Sequence, residues 1–428
     1  MSILIKNGNV YTEGTFKQLD IYIDNKGILT LADHIDLESD VDEVIDATDL
    51  LVAPGLIDPH VHLREPGFSY KETIQSGTLS AAKGGYTTIF SMPNLDPVPD
   101  TVEHLQVQQN LIAQDACIHV IPYASITQGQ KGAGELVDID ILSDHVLGFS
   151  DDGKGVQEES LMRQAMAYAK AKERVIVAHC EDESLLTIGG CIHDGKKAQE
   201  LNLLGISSAS EFKQIERDLR LAKETGCQYH VCHISCKESV DLIRQAKAKG
   251  VDVSCEVTVH HLLMNEENII CDDGNFKMNP PLRTREDQEA LLEGILDGTI
   301  EMIATDHAPH SKEEKAKGLA HSAMGIIGSE LAFGLIYNYL VLTKKLTLKQ
   351  VLDLMSYNCA NIFGISGGDI VNFEKANLAI FDLKARQRIE ERDLVSKGKN
   401  TPFIGWYMTG ICCLTIVDGK IVYRRKER

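Results

Sequence analysis

Two histidines two positions apart give the first sign of chemistry in this sequence. His60 and His62 lie in the apolar run LLVAPGLIDPHVH at residues 50–62, which predicts a β-strand. Side chains alternate between the faces of a strand, so both imidazoles point to one side and can bind one metal ion. An HxH pair alone is a weak signal, because a single buried histidine is more often a hydrogen-bonded core residue.

Further metal-binding residue types stand near the ends of other predicted strands. They are His179, His233, the pair Asp151 and Asp152, and Asp306. Imidazole and carboxylate suit Zn²⁺, with Co²⁺ or Mn²⁺ as substitutes. One catalytic zinc takes three protein ligands, so this set is large enough for two ions bridged by a carboxylate and a water. Asp-Asp-Gly is also common in turns, and the spacing alone leaves both aspartates open.

Eight apolar strands alternate with longer helix-period segments in the middle of the chain. The strands are predicted at 50–62, 87–94, 117–125, 145–153, 174–182, 228–235, 251–261 and 300–310. This alternation predicts an α/β fold with parallel strands, and eight units favour a closed (β/α)₈ TIM barrel with its chemistry at the carboxyl ends of the strands. A doubly wound open sheet is the alternative, but it does not easily bring strands one, four, five, six and eight to one point.

Composition and charge limit the class of protein. A chain of 428 residues with 43% hydrophobic and 25% charged residues predicts a folded, soluble protein of two to three domains. The net charge of −20 argues against partners that require a basic surface, such as nucleic acid or an anionic membrane. The N-terminus does not resemble a signal peptide, and eleven scattered cysteines suggest buried thiols of a reducing compartment, so a cytoplasmic location is expected.

Seven motifs follow one another along the chain: PGLIDPHVHLREPG (54–67), SMPN (91–94), FSDDG (149–153), AHCED (178–182), CHIS (232–235), NPPLR (279–283) and IATDHAPH (303–310). Together they resemble the dihydroorotase family, in particular the long bacterial type within the amidohydrolase superfamily. Two departures occur: Val259 stands where the family usually has proline, and AMGIIGSE at 323–330 replaces a more familiar GxxGLE. The second departure leaves open which backbone groups contact the substrate ring.

The resemblance implies a distorted barrel with a small β-sandwich domain built from both termini. We expect residues 1–52 and 366–428 in the β domain and residues 53–365 in the catalytic barrel. It also implies two Zn²⁺ ions, one held by His60 and His62 and the other by His179 and His233, with Asp152 rather than Asp151 as the bridge. Asp306 would lie beside the bridging hydroxide, as a metal ligand and as the proton shuttle. A homodimer is expected from the family, whereas association with aspartate carbamoyltransferase has no support in the sequence.

The implied reaction is the zinc-dependent, reversible hydrolysis of the cyclic amide of dihydroorotate to N-carbamoyl-aspartate in pyrimidine biosynthesis. Arg64, two residues beyond His62, is a candidate for binding the substrate carboxylate through paired hydrogen bonds. Asn94, Asn279 and His310 are further candidates for substrate contact. Without the resemblance, Arg64 would more often be a surface ion pair and Asn94 a turn residue.

Several alternatives remain at this stage. Lys154 could be a carbamylated bridging lysine, as in hydantoinases, and another cyclic amidohydrolase, such as a dihydropyrimidinase or an allantoinase, is the nearest rival function. A non-catalytic dihydroorotase-like subunit is the rival from another class, but it should lack one or more metal ligands. His260 and His261 are expected to serve packing or second-layer hydrogen bonds, and KEEKAKG at 312–318 is expected to be an exposed loop or short helix.

Overall fold

The computed structural model describes residues 1–37 and 40–426. Its strands are β1 (Ile3–Thr12), β2 (Thr15–Ile23), β3 (Leu29–Ala32), β4 (Glu43–Asp46), β5 (Leu51–Pro54), β6 (Leu56–Val61), β7 (Tyr86–Ser91), β8 (His119–Pro122), β9 (Gly148–Phe149), β10 (Val175–Ala178), β11 (Ile192–His193), β12 (Gly205–Ile206), β13 (Tyr229–Val231), β14 (Val253–Thr258), β15 (Met302–Ala304), β16 (Leu378–Arg388), β17 (Tyr407–Val417) and β18 (Lys420–Arg424).

The α-helices lie mostly between the parallel strands. They are α1 (Ile74–Gly84), α2 (Val102–Asp115), α3 (Ile139–Leu142), α4 (Glu159–Ala171), α5 (Lys196–Leu201), α6 (Ser208–Thr225), α7 (Lys237–Ala248), α8 (Val259–Leu263), α9 (Arg285–Leu296), α10 (Lys312–Lys315), α11 (Gly318–His321), α12 (Ala332–Ile336), α13 (Leu348–Leu352) and α14 (Asn358–Phe363). No helix in the described ranges is both long enough and apolar enough to cross a membrane.

Eight parallel strands form two sheets whose edges approach each other. One sheet has the order β6-β7-β8 and the other the order β15-β14-β13-β10-β9. Isolated parallel bridges join Val61 to His307, just beyond β15, and Ala124, just beyond β8, to Phe149 in β9. The α/β class is therefore confirmed, and a parallel strand overlaps each of the eight predicted segments.

The helix α6 illustrates why these segments fold as they do. Ser207 accepts a hydrogen bond from the Ala209 N–H at the start of the helix, and Gly226 ends it in the left-handed conformation. Ile215, Leu219 and Ala222 fall on one face of the helix and are buried. The helix lies between the fifth and sixth predicted strands, where the alternating pattern predicts a helical segment.

The two ends of the chain meet in one mixed sheet of eight strands. Its order is β18-β17-β16-β5-β1-β2-β3, and β4 pairs with β1. Because β1 pairs with β2, β4 and β5, the sheet branches there. A small β domain built from both termini is consistent with this sheet, and its arrangement as a sandwich stays a prediction. The sheet has its own apolar core, which includes Ile3, Ile21, Val52, Ile380 and Ile416.

The predicted strand at residues 50–62 is wrong as a single element. Gly55 divides it into β5, which joins the terminal sheet, and β6, which begins the parallel strands. A Cβ atom on Gly55 would lie 2.0 Å from the Thr87 Oγ1, so only glycine permits this close passage between the two sheets. Hydrophobicity alone does not reveal the break, because both halves are buried.

A segment from the C-terminal part of the chain, residues 395–400, packs onto the loops after the parallel strands. The buried carboxylate of Glu72 accepts a hydrogen bond from the Lys397 N–H, and Glu330 accepts from the Val395 N–H. Asn400 accepts from the His310 N–H through Oδ1 and donates to Ala308 O through Nδ2. The terminal segment thereby forms part of the surroundings of the predicted site.

All eleven cysteines are free thiols, and eight of them are buried. This agrees with their predicted role as small hydrophobic residues.

Candidate active site

The predicted metal-binding residues converge at the carboxyl ends of the parallel strands. His60 lies in β6, and the other five follow the ends of β6, β9, β10, β13 and β15 within four residues. All are at most 6% exposed: His60, His62, Asp152, His179, His233 and Asp306. The carboxyl ends of parallel strands lie at the same edge of the sheet, so residues up to 246 positions apart in the sequence lie side by side there.

Asp152 lies at the centre of this cluster. Its Oδ1 is 3.4 Å from His60 Nε2, 3.8 Å from His179 Nδ1 and 3.7 Å from His233 Nε2. Its Oδ2 is 3.5 Å from His62 Nε2. Burial alone would raise the pKa of Asp152, but the surrounding imidazoles hold it well below its usual range. The carboxylate thus faces all four imidazoles from a central position, three of them through Oδ1 and one through Oδ2.

Asp306 lies on the side of the first histidine pair. Its Oδ1 is 3.0 Å from His62 Nε2 and 3.5 Å from His60 Nε2. Burial opposes ionisation of this group, yet His60, His62 and His233 lower its pKa far below the ordinary value. Asp306 is therefore an ionised carboxylate at neutral pH.

The cluster contains polar atoms that fit divalent cations. His60 Nε2 and Asp152 Oδ1 are buried and have no hydrogen-bond partner. His60 donates its Nδ1–H to Glu256, and its Nε2 faces the carboxylates of Asp152 and Asp306. Burial opposes a charge on this ring, but Glu256, Asp152 and Asp306 raise the pKa of His60 well above its usual range, so the cluster attracts a positive charge to Nε2, from a proton or from a metal ion. His60, Asp152 and His233 form one group with ligand-like spacing, and His60, His62 and Asp306 form another.

Glu256 is hydrogen-bonded to two residues of the cluster, and the sequence did not lead us to predict it. It is fully buried in β14 and accepts hydrogen bonds from His60 Nδ1 at 2.6 Å, His230 Nε2 at 3.1 Å and the His233 N–H at 3.2 Å. Burial alone would raise the pKa of Glu256, but the imidazoles of His60 and His230 lower it to about 2. A carboxylate on the second nitrogen of a histidine fixes the ring and raises its basicity toward a metal. The one sign of this role in the sequence is that Glu256 is a charged residue inside the otherwise apolar strand segment VDVSCEVTV.

The structure distinguishes the two aspartates of the DDG motif. Asp151 points away from the cluster and accepts hydrogen bonds from the N–H groups of Ile126, Thr127 and Gly132 and from the Thr127 hydroxyl. Its oxygens are thereby used in holding the loop. Lys154 is 57% exposed and lies 3.9 Å from Glu183, outside the cluster, so it is not placed to bridge metals.

Arg64 and His310 form one wall of the pocket. The Arg64 Nε donates to Pro309 O at 3.2 Å, and an Nη of Arg64 lies 3.4 Å from His310 Nε2. The His310 Nε2 lies 2.7 Å from Met324 O, which requires it to donate, and its Nδ1 accepts from Lys71. Burial, Arg64 and Lys71 lower the pKa of His310, so the ring is neutral. The Nη groups of Arg64 remain available to an anion.

Asn94 and Asn279 lie on the other walls. Asn94 donates to Asp152 O at 2.7 Å, and its buried Oδ1 has no partner. Asn279 donates to Glu181 Oε1 at 2.9 Å, and Glu181 in turn lies 3.7 Å from His179 Nε2. Glu181 therefore connects a predicted substrate contact to a predicted metal ligand, which the AHCED motif alone did not reveal.

These residues surround a cavity of about 220 Å³. Nine of the ten predicted site residues line it, and His60 lies beneath it. The volume is below the roughly 300–1,000 Å³ of pockets for drug-sized ligands, so the site suits a small ring compound. Met324 and Gly325, from the loop that departs from the family pattern, complete the lining.

Three predicted site residues have left-handed backbone conformations. The φ angles are 62° at Arg64, 29° at His233 and 46° at Asp306. Such conformations cost energy for residues other than glycine and persist where the surrounding structure enforces them, typically at functional sites.

The two histidines after β14 do not line the cavity. His261 contacts Thr258 Oγ1 at 2.7 Å and Pro280 O at 3.0 Å, and His260 packs against its ring.

Comparison with known proteins agrees with this geometry. A family model described as "Dihydro-orotase-like" matches residues 49–239. A dihydroorotase of Staphylococcus epidermidis is 49% identical over 425 residues, which cover 99% of this chain and 100% of the relative. The chain belongs to the dihydroorotase family. Another member, from Anoxybacillus flavithermus, is 50% identical and is covered to 99%.

Solved structures with the same fold include hydantoinases. The L-hydantoinase (dihydropyrimidinase) from Arthrobacter aurescens has a TM-score of 0.88 at 25% identity and covers 99% of this chain, with 96% of its own chain covered. The D-hydantoinase (dihydropyrimidinase) from a Thermus species has a TM-score of 0.86 at 26% identity, with 99% and 97% covered. The family and these neighbours place the chain among the amidohydrolases.

Proposed function

We propose that this chain is a dihydroorotase, a cyclic amidohydrolase that reversibly opens the ring of (S)-dihydroorotate to N-carbamoyl-L-aspartate in pyrimidine biosynthesis. The family assignment supports the reaction. The observation that carries the substrate choice is Arg64, whose free Nη groups share a small cavity with the His and Asp cluster. A guanidinium in that position favours a ring compound that carries a carboxylate.

Two divalent cations, Zn²⁺ in the first instance, fit the donor set. His60, His62 and Asp306 would hold one ion, His179 and His233 the other, and Asp152 would bridge them. When bound, the ions supply Lewis acidity, which makes a water acidic enough to ionise near neutral pH and polarises the substrate carbonyl. The unpartnered His60 Nε2 and Asp152 Oδ1 support this assignment.

The protein groups orient the substrate and move the proton. Arg64 holds the carboxylate, and Asn94, Asn279 and His310 shape the walls around the ring. Asp306, ionised and buried, takes a proton from the attacking water and then gives it to the ring nitrogen as the C–N bond breaks. One carboxylate can act as base and then as acid because it regains its starting state after each turnover.

The eight parallel strands support a barrel as the frame of this site. The bridges Val61–His307 and Ala124–Phe149 connect the two sheets at both edges, as closure requires. We assign residues 53–365 to the barrel and residues 1–52 with 366–428 to the β domain. Residues 38–39 and 427–428, which these ranges include, lie outside the described part. We further propose, from the family resemblance alone, a cytoplasmic homodimer.

The experiment offers the purified protein four ring substrates, dihydroorotate, dihydrouracil, hydantoin and allantoin, and measures the metal content of the same sample. We expect ring opening of dihydroorotate and two metal ions per chain. Preferential opening of dihydrouracil would instead assign the protein to the dihydropyrimidinases, and no turnover by metal-loaded protein would indicate a non-catalytic subunit.

A further inference from the structure

Lys315 is a buried lysine in a segment that was predicted to be exposed. It ends the short helix α10 and is 6% exposed. Its ammonium donates to three backbone carbonyls, Lys277 O at 3.0 Å, Ala323 O at 2.8 Å and Gly325 O at 2.8 Å. An ammonium has three N–H donors, and all of them are used here.

The three carbonyls belong to two segments that border the cavity. One segment leads from Lys277 to Asn279, and the other is the loop 323–325. The Gly325 N–H also donates to Lys277 O at 3.0 Å, so that oxygen joins the two segments. We call this arrangement the Lys315 clamp, comprising the Lys315 ammonium, segment 277–279 and loop 323–325.

Side chains from other segments of the chain hold the backbone of loop 323–325 in place. His310 donates to Met324 O at 2.7 Å, and Asn400 donates to Gly325 O at 3.0 Å. The loop is neither strand nor helix, so side chains from other segments determine where Met324 and Gly325 stand in the pocket. Among these side chains, Lys315 donates hydrogen bonds both to loop 323–325 and to segment 277–279.

We propose that Lys315 is a positioning residue, which fixes the separation of segment 277–279 from loop 323–325 and so sets the fit of the pocket to its substrate. This inference rests on the proposed function for the identity of the substrate. A buried ammonium is costly to desolvate, and a methionine of similar length would pack there without that cost. The charge is therefore explained by the three carbonyls that it orients.

The protonation of Lys315 adds a second readout. Burial and, to a smaller extent, Lys277 lower the pKa of Lys315 to about 7, although Asp273 and Glu314 act in the opposite direction. His310 is a further titratable group nearby, but its own lowered pKa keeps it neutral above pH 6. Above pH 7 the clamp therefore loses its charge.

The test compares Lys315→Met with Lys317→Met, an exposed lysine two residues further along. We expect the KM for dihydroorotate to rise about 10- to 100-fold in Lys315→Met, the equivalent of one lost charged hydrogen bond. The kcat should change far less than KM, metal content should be unchanged, and amide hydrogen exchange in residues 323–327 should accelerate. Lys317→Met should match the wild type in all four.

The Lys315→Arg variant keeps the cation at every pH used. We expect the wild-type KM to rise between pH 6 and pH 9, and this rise to be absent in Lys315→Arg. A KM and an exchange rate in Lys315→Met that equal those of the wild type would overturn the inference. If Lys315→Met does not fold, a wild-type KM that is constant from pH 6 to pH 9 would overturn it. Wild-type protein that does not open dihydroorotate would refute the proposed function alone, because the exchange measurement needs no substrate.

Discussion

Replacement of Arg64 by methionine separates substrate recognition from metal binding. The Nε of Arg64 is used by Pro309 O, which leaves the two Nη groups for paired hydrogen bonds to a carboxylate. Hydrogen bonds to charged groups contribute roughly 1.5–3 kcal/mol each, so the pair contributes about 3–6 kcal/mol. Water can enter the vacated position, so we take the lower end, about 3 kcal/mol, or roughly a hundredfold in kcat/KM.

The assay measures kcat/KM for dihydroorotate and for dihydrouracil, which has the same ring without the carboxylate. Arg64→Met should lose about a hundredfold on dihydroorotate and little on dihydrouracil, because only the former has a group for the guanidinium to bind. Metal content should equal that of the wild type. Arg163→Met, which removes a partly exposed arginine of α4 that pairs with Glu159 and Glu224, is the matched control. An equal loss on both substrates, or loss of metal, would show that Arg64 supports the structure of the site rather than the carboxylate.

Three further outcomes follow from the same contacts. Asp152→Ala should reduce bound metal to at most one ion per chain by elemental analysis, and two retained ions would contradict a bridging role. Glu256→Gln should weaken metal affinity about 10- to 100-fold in a chelator competition, because the His60 ring loses its carboxylate partner; unchanged affinity would mean that His60 needs no such support. The His193 ring accepts a hydrogen bond from Arg283, and burial together with Arg283 lowers the pKa of His193 from 6.5 to about 4. Between pH 6.5 and pH 4 the unfolded chain therefore binds a proton that the folded chain does not. The free energy of unfolding falls as the pH drops through this range. The melting temperature of the wild type should therefore fall more over this range than that of His193→Gln, and parallel curves would exclude the effect.

The sequence predicted the site more completely than it predicted the supporting contacts. His60, Asp152 and Asp306 were predictable because each follows or ends an apolar strand, and parallel strands end on one side. The contacts of Asp151 were not, because they depend on the path of a loop at 126–132 that carries no periodic signal. The motifs of the family favoured Asp152, and in the structure Asp152 faces the histidines whereas Asp151 is hydrogen-bonded to the loop.

Two other residues show where local patterns fail. Lys315 lies in a charged run typical of an exposed helix, and its burial depends on carbonyls 8 to 38 positions away. Gly55 lies in an unbroken apolar run, and the strand break there depends on the close passage of Thr87. In both cases the deciding partner is distant in sequence, so neither hydrophobicity nor charge along the chain could reveal it.

The hydrogen bonds of segment 395–400 have a consequence for how the protein matures. Asn400 is bonded to the His310 backbone and to Gly325 O, while the predicted metal ligands end at Asp306. Chains emerge from the ribosome N-terminal end first. In a nascent chain the predicted metal-binding residues therefore emerge before the segment that anchors this wall of the pocket. A chain that ends before residue 395 would carry those residues without the hydrogen bonds from Asn400 that hold His310 and Gly325.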